Sequence, residues 1–188
     1  MNGILVISSS EKGRTLVGDL MRSAGYDGIT LAACGAQARR QLAGSSYELV
    51  IVNAPLSDEF GDALALQAAE NSDTGVVLIV RHELADEISE KVEACGVMVL
   101  DKPFGRELFF RTIKLVEASL ARMSRLRSQN QSLKVKIEEI RLVDRAKCAL
   151  IQYLGLSEPQ AHRYIEKQSM DLRITKTERA KRILQTYE

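Results

Sequence analysis

Short apolar runs alternate with stretches of helical periodicity over the first hundred residues of the chain. The runs predict buried strands at 4–7, 29–32, 49–52, 76–80 and 97–100. Between them, apolar positions at helical spacing predict helices at 11–24, 36–43, 64–69 and 83–95, and a fifth helix from residue 106 onward. Five strand–helix units with short connections predict an α/β fold with a doubly wound parallel sheet.

The chemistry of such a sheet lies at the carboxyl ends of its strands. Serines 8–10 follow the first predicted strand, Asn53 follows the third, and Val80 ends the fourth. The run Asp101-Lys102-Pro103-Phe104 follows the fifth. These segments are therefore expected to meet at one edge of the sheet.

These residues resemble a response-regulator receiver domain, which has a flavodoxin-like fold. Residues 100–104 are similar to the Lys-Pro-Phe signature after the fifth strand, residues 47–53 match the approach to the phosphoacceptor, and Gly61 stands where that loop has glycine. The resemblance covers residues 1–115 and implies a cis bond between Lys102 and Pro103.

The departures from the receiver pattern predict a domain that cannot be phosphorylated in the usual way. Ser8 and Ser9 replace the acidic pair, although Mg²⁺ prefers carboxylate oxygens. Asn53 replaces the phosphoacceptor aspartate, and an amide cannot form an acyl phosphate. Val80 replaces a hydroxyl residue, so only Lys102 remains of the switch residues. We predict a regulatory binding domain, with a folded spacer as the alternative.

A long helix with an apolar seam is predicted for residues 116–142. No Gly or Pro occurs between Gly105 and Gly155. Positions at a 3-4 spacing predict a homodimeric coiled coil, and Asn130 at an a position favours two strands. The seam consists of Met123, Leu126, Asn130, Leu133, Ile137 and Ile140. The flanking e and g positions are mostly basic, so complementary charge pairs across a parallel dimer are missing. The alternative to a dimer contact is an apolar stripe that packs against the protein's own C-terminal helices.

The last segment, 143–188, predicts an all-α domain of three helices. Gly155 ends the first helix, and Ser157–Gln160 and Thr175–Glu178 are capping boxes that begin the next two. Residues 140–184 resemble the ANTAR domain, the RNA-binding module of antitermination regulators. The resemblance is carried by Asp144-x-Ala146-Lys147, residues 154–158, Ala161-x-x-Tyr164-Ile165 and residues 168–173. Residues 176–179, at the start of the third helix, depart from this resemblance. They are mostly charged, whereas members of the family tend to be more apolar there.

Charge supports a polyanionic partner for this C-terminal part. Residues 1–115 carry 11 basic and 16 acidic side chains, and residues 116–188 carry 15 and 9. By resemblance, the expected function is antitermination through binding of hairpin loops in a leader transcript. The candidate RNA-binding residues are Arg145, Ala146, Lys147, Arg163, Tyr164, Arg173 and Lys176. Ala146 is expected to allow close approach of the RNA because its side chain is small. Tyr164 and Arg173 are expected to stack on bases. The alternative for Tyr164 is a place in the hydrophobic core.

Other functional classes have weaker support in the sequence. Cys34, Cys95 and Cys148 are widely spaced, and His82 and His162 have no partner at a usable spacing, so we expect no metal, no cofactor and no enzymatic activity. We expect no signal peptide, no membrane association and a cytoplasmic location. A regulatory protein partner fits a receiver-like domain. The alternatives are a DNA-binding regulator and a protein-interaction adaptor.

Overall fold

A computed structural model describes residues 3–70 and 73–187 of the chain. Its strands are β1 (Ile4–Ser8), β2 (Ile29–Ala32), β3 (Leu49–Asn53), β4 (Gly75–Arg81) and β5 (Val97–Lys102). Its helices are α1 (Glu11–Ser23), α2 (Gly35–Gly44), α3 (Asp62–Ala69), α4 (Ala85–Val92), α5 (Arg106–Leu154), α6 (Glu158–Leu172) and α7 (Lys176–Tyr187). The chain forms two compact units, one up to Ser124 and one from Arg125 onward.

The first unit is the predicted doubly wound sheet. Its five strands are all parallel and lie in the order β2–β1–β3–β4–β5. This is the strand order of flavodoxin-like folds, so the predicted fold class is confirmed. The predicted fourth helix is shorter than expected, because 3₁₀ turns at His82–Leu84 and Glu93–Cys95 flank α4.

Two hydrophobic layers cover the two faces of this sheet. Ile4 and Val6 point to the layer formed by α1 and α5, and Leu5 and Ile7 point to the layer formed by α2, α3 and α4. Because β1 is buried on both faces, its sequence is a continuous apolar run without alternation. Burial of each such large side chain stabilises the fold by about 1.5–3 kcal/mol. The layers fix the loops at the carboxyl edge of the sheet.

The second unit contains the C-terminal part of α5 together with α6 and α7. Gly155, at φ 67°, follows α5 in the left-handed conformation that glycine adopts without steric cost. Ser157 and Gln160 form the predicted capping box at α6, and the Thr175 hydroxyl accepts the Glu178 N–H at 3.1 Å before α7. The core of the unit consists of Ala146, Ala149, Leu150, Ala161, Ile165, Ala180, Ile183 and Leu184. In the part of the chain described here, no helix is long and apolar enough to cross a membrane.

Candidate nucleic-acid interface and receiver pocket

The carboxyl ends of β1, β3 and β5 bring four of the five predicted pocket residues together. Ser8 is buried, and its hydroxyl accepts a hydrogen bond from the Asn53 amide at 3.0 Å. The Ser9 hydroxyl donates to the Pro55 carbonyl at 3.2 Å, and the Lys102 ammonium donates to the Ala54 carbonyl at 2.7 Å. Internal hydrogen bonds therefore join the three loops.

Val80, the fifth predicted pocket residue, lies fully buried in the hydrophobic layer under α4. It supplies packing and no hydroxyl group. The predicted cis bond between Lys102 and Pro103 is present, and the bond between Ala54 and Pro55 is also cis.

Arg14 is a pocket residue that sequence reasoning missed. Its guanidinium donates from α1 to the Ser8 carbonyl at 2.7 Å and to the Ser9 carbonyl at 3.0 Å. A signal existed, since Arg14 lies one helical turn after the N-cap residue Ser10 and so returns to the β1–α1 loop. Arg14 places a positive charge beside a loop where the receiver pattern has carboxylates.

Asp58 and Asp101 lie near the pocket residues in the sequence, but each carboxylate is engaged elsewhere. The Asp58 carboxylate accepts the Gly35 and Ala36 N–H groups at 2.8 and 2.9 Å, and these bonds at the start of α2 lower the pKa of Asp58. The Asp101 carboxylate contacts His82.

Burial, and then the charge of Arg81, lower the pKa of Lys102. Within residues 3–70 and 73–187 there is no cluster of three or more potential metal ligands.

His82 has an acidic neighbour that its spacing in the sequence does not reveal. Its Nδ1 lies 2.6 Å from Asp101 Oδ2 because β4 and β5 are paired, with Val80 opposite Asp101. The hydrogen bond to Asp101, followed by its charge, raises the pKa of His82 above 6.5. The same bond lowers the pKa of Asp101 below 3.8. His162 also has an acidic neighbour, since its Nε2 lies 3.4 Å from Glu166.

This pair gives a pH-dependent prediction. Because the folded pKa of His82 is raised, its contribution to stability is present below pH 6.5 and is lost as the pH rises through the folded value. The Asp101 contribution is present above pH 3.8 and is lost as the pH falls through its lowered pKa. Asp101→Asn is expected to return the pKa of His82 toward 6.5, measured by NMR titration of the imidazole. An unchanged titration curve would contradict the pairing.

In the second unit, the structure corrects the expected role of Ala146. This residue is fully buried in the core, beside Ala149 and Leu150 of the same helix. Its methyl group therefore contacts the protein interior and has no surface to offer RNA. Tyr164 is partly buried against the same core, in line with the alternative left open for it, and Arg179 lies over its ring.

Lys147 joins two helices through its ammonium group. The side chain is only 17% exposed, and its Nζ lies 2.8 Å from Asp144 and 2.9 Å from Glu158 at the start of α6. These two hydrogen bonds, Asp144 first, raise the pKa of Lys147. A phosphate contact by Lys147 requires the ammonium to leave or share these carboxylates.

The remaining basic candidates lie at the surface. Arg145, Arg163 and Arg173 are exposed, and Lys176 forms an ion pair with Glu166. Arg173 ends α6 in the left-handed region, at φ 52°, a conformation that is uncommon for a residue with a side chain. An arginine at a position that favours glycine is the kind of local strain that occurs at functional sites.

The predicted seam of α5 is uncovered in the isolated chain. Its apolar members Met123, Leu126, Leu133, Ile137 and Ile140 are between 46 and 61% exposed, and Asn130 is also exposed. The core of the second unit begins further along the helix, with Leu142 and Val143. The alternative of a stripe packed against the protein's own helices is therefore wrong.

Comparisons with known proteins agree with this geometry. The first unit has the fold of the Vibrio cholerae chemotaxis response regulator CheY4, with a TM-score of 0.54 and 22% identity over 62% of this chain and 98% of that one. It also has the fold of the HemR receiver domain from Leptospira biflexa, with a TM-score of 0.54 and 19% identity over 62% and 94% of the two chains. The first unit thus has the fold of receiver domains, and for that fold alone it is called the receiver-type domain.

Residues 131–184 match the ANTAR domain family. The transcriptional regulatory protein PdtaR of Mycobacterium tuberculosis is 24% identical over 183 residues, which cover 97% of this chain and 89% of that protein. The chain therefore combines a receiver fold in its first unit with a match to the ANTAR domain family in its second unit.

Proposed function

We propose that this protein is an RNA-binding transcription antiterminator. Its ANTAR domain binds hairpin loops in a leader transcript and thereby favours an antiterminator structure over a terminator. The observation that carries the proposal is the ANTAR match over residues 131–184, on a helical unit whose surface presents Arg145, Arg163 and Arg173. Phosphate contacts by such side chains supply affinity, and contacts to unpaired loop bases supply specificity.

The RNA-binding unit acts as a homodimer in this proposal. The exposed seam from Met123 to Ile140 is the surface that pairs, and the amides of two facing Asn130 residues satisfy each other. A dimer presents two ANTAR domains to two adjacent hairpins. The second contact is then intramolecular, so two weak contacts give tight binding.

Control of this activity does not use an aspartyl phosphate. The pocket has an amide at Asn53 and hydroxyls at Ser8 and Ser9, and its loop carbonyls already accept hydrogen bonds from Arg14 and Lys102. A protein partner or self-association of the receiver-type domain decides whether the ANTAR domains are available. The pocket itself serves to hold the loops in one arrangement.

The function is tested by titrating the purified protein against an RNA with two adjacent small-loop hairpins. Competitors are the same RNA with substituted loops and a duplex DNA, at two salt concentrations. Loop-dependent binding that exceeds binding to DNA is expected, with a salt dependence that reflects the number of phosphate contacts. Arg163→Gln is expected to weaken binding several-fold, whereas Lys12→Gln, in the receiver-type domain, is the matched control.

Two other results would redirect the function. Preference for duplex DNA would make the protein a DNA-binding regulator. Absence of nucleic-acid binding at both salt concentrations would make it a protein-interaction adaptor.

The control mechanism has a separate test. Incubation with acetyl phosphate and Mg²⁺ is expected to leave the mass of the intact protein and its RNA affinity unchanged, because the pocket has no aspartate at position 53 and no carboxylates at positions 8 and 9. A receiver domain with its aspartate intact is the positive control. A base-labile phosphoryl group on this protein, located in the pocket by mass spectrometry, would overturn the mechanism.

A further inference from the structure

Arg179 differs from three other cations of the ANTAR domain. Lys147 contacts Asp144 and Glu158, Lys176 contacts Glu166, and Arg182 contacts Glu178 at 2.8 Å. Their charges are balanced inside the domain. Arg179 has no acidic partner among the residues that the structure describes.

The guanidinium of Arg179 is instead held on an aromatic ring. Its central carbon lies 5.9 Å from the centroid of the Tyr164 ring, which is within the range of a cation–π interaction. Tyr164 is itself held in place, because it packs partly buried against the core of the domain. The Tyr164 ring on α6 therefore holds the position of the Arg179 guanidinium on α7.

This arrangement is unfavourable for the fold taken alone. The Arg179 Nε is buried, and it has no hydrogen-bond acceptor in the described part of the chain. A buried donor without an acceptor loses its hydration without compensation. An apolar side chain at this position would cover Tyr164 without that loss. The arginine at this position therefore calls for a role outside the fold.

We propose that Arg179, held over Tyr164, is a stacking site for one unpaired base of the RNA loop and determines specificity at that position. The proposal rests on the RNA-binding function proposed above. Guanidinium planes and aromatic rings are the groups on which proteins stack splayed-out loop bases. Arg179 remains partly exposed, so a base stacks on the guanidinium face that Tyr164 does not cover. The charge then meets a neighbouring phosphate.

A pool of two-hairpin RNAs with randomised loops tests the proposal. The wild-type protein and Arg179→Leu each select from the pool, and the affinity of the best wild-type RNA is then measured for both proteins. The variant is expected to bind that RNA roughly tenfold to a hundredfold more weakly, which is the range for loss of one stacked base. It is also expected to lose base preference at one loop position while keeping it at the others.

Two further variants separate stacking from charge. Arg182→Leu removes the same charge three residues along α7 and is expected to weaken all RNAs alike without changing the selected loops. Arg179→Lys keeps the charge without the plane and is expected to lose the same loop preference as Arg179→Leu. Circular dichroism melts check folding, and Arg179→Leu is expected to unfold at the same temperature as wild type or higher, because the unpaired Nε is gone.

The outcomes distinguish this inference from the function on which it rests. If Arg179→Leu selects the same loops with the same affinity as wild type, the stacking site is wrong and the antiterminator function stands. If Arg179→Leu and Arg182→Leu weaken all RNAs equally, Arg179 is an ordinary phosphate contact and the inference is wrong. If the wild-type protein selects no RNA, both are overturned.

Discussion

Ile137→Lys is expected to convert the proposed dimer into monomers and to weaken binding to two-hairpin RNA by about 10²–10⁴-fold. Ile137 is the fifth of the six seam residues and is 49% exposed in the isolated chain. A lysine at position 137 would face the equivalent lysine of the second chain across the dimer. The basic residues Lys134 and Lys136 lie beside it in the sequence. Like charges at the seam oppose pairing, and one protomer cannot hold two hairpins. Sedimentation equilibrium and RNA titration measure the two effects.

Val135→Lys is the matched control for this prediction. Val135 is equally exposed but occupies an f position, on the outer side of the helix in a two-stranded coiled coil. The control variant is expected to remain dimeric and to bind the two-hairpin RNA as tightly as wild type. A monomeric wild-type protein that still distinguishes two hairpins from one would refute the role of the seam.

Ala146→Glu is expected to unfold the ANTAR domain and abolish RNA binding through that unfolding. The residue is fully buried, so the new carboxyl group has no water and no partner. Burying an unpaired polar group costs about 2–7 kcal/mol, and a domain of this size is stable by only about 3–10 kcal/mol. Hydrogen exchange of the full-length protein is expected to show faster exchange in α6 and α7, with the sheet still protected.

Gln152→Glu is the control, because it adds the same carboxylate at an exposed position of the same helix. It is expected to leave hydrogen exchange unchanged. A different outcome would show that Ala146 lies at the RNA interface. In that outcome, Ala146→Glu keeps normal hydrogen-exchange protection in α6 and α7 but does not bind RNA.

Patterns that are local in the chain were predictable from the sequence. The central strands β1, β3 and β4 are almost continuous apolar runs because both of their faces are buried. Ser157 and Thr175 begin helices through bonds to residues three positions away. The exposed seam followed from spacing along a single helix. Each of these features depends on neighbours within about one turn of helix or along one strand.

Features that depend on packing between distant segments were not predictable in the same way. His82 meets Asp101 only through the register of β4 with β5, and Arg179 meets Tyr164 only through the packing of α7 on α6. The motif that pairs Ala146 with Lys147 predicts a surface position for Ala146, but the residue is buried. Its helical spacing to Leu142, Ala149 and Leu150 was the signal for the core.

The amide at Asn53 has a consequence for the timing of the response. An aspartyl phosphate hydrolyses at its own rate. In a phosphorylated receiver, that hydrolysis rate limits the lifetime of the active state. Under the proposed control without phosphorylation, the pocket in which Asn53 is bonded to Ser8, and Lys102 to a backbone carbonyl, forms no acyl phosphate that could hydrolyse. Under the proposed control by binding, the lifetime of the active state equals the residence time of a partner, and its level follows concentration alone.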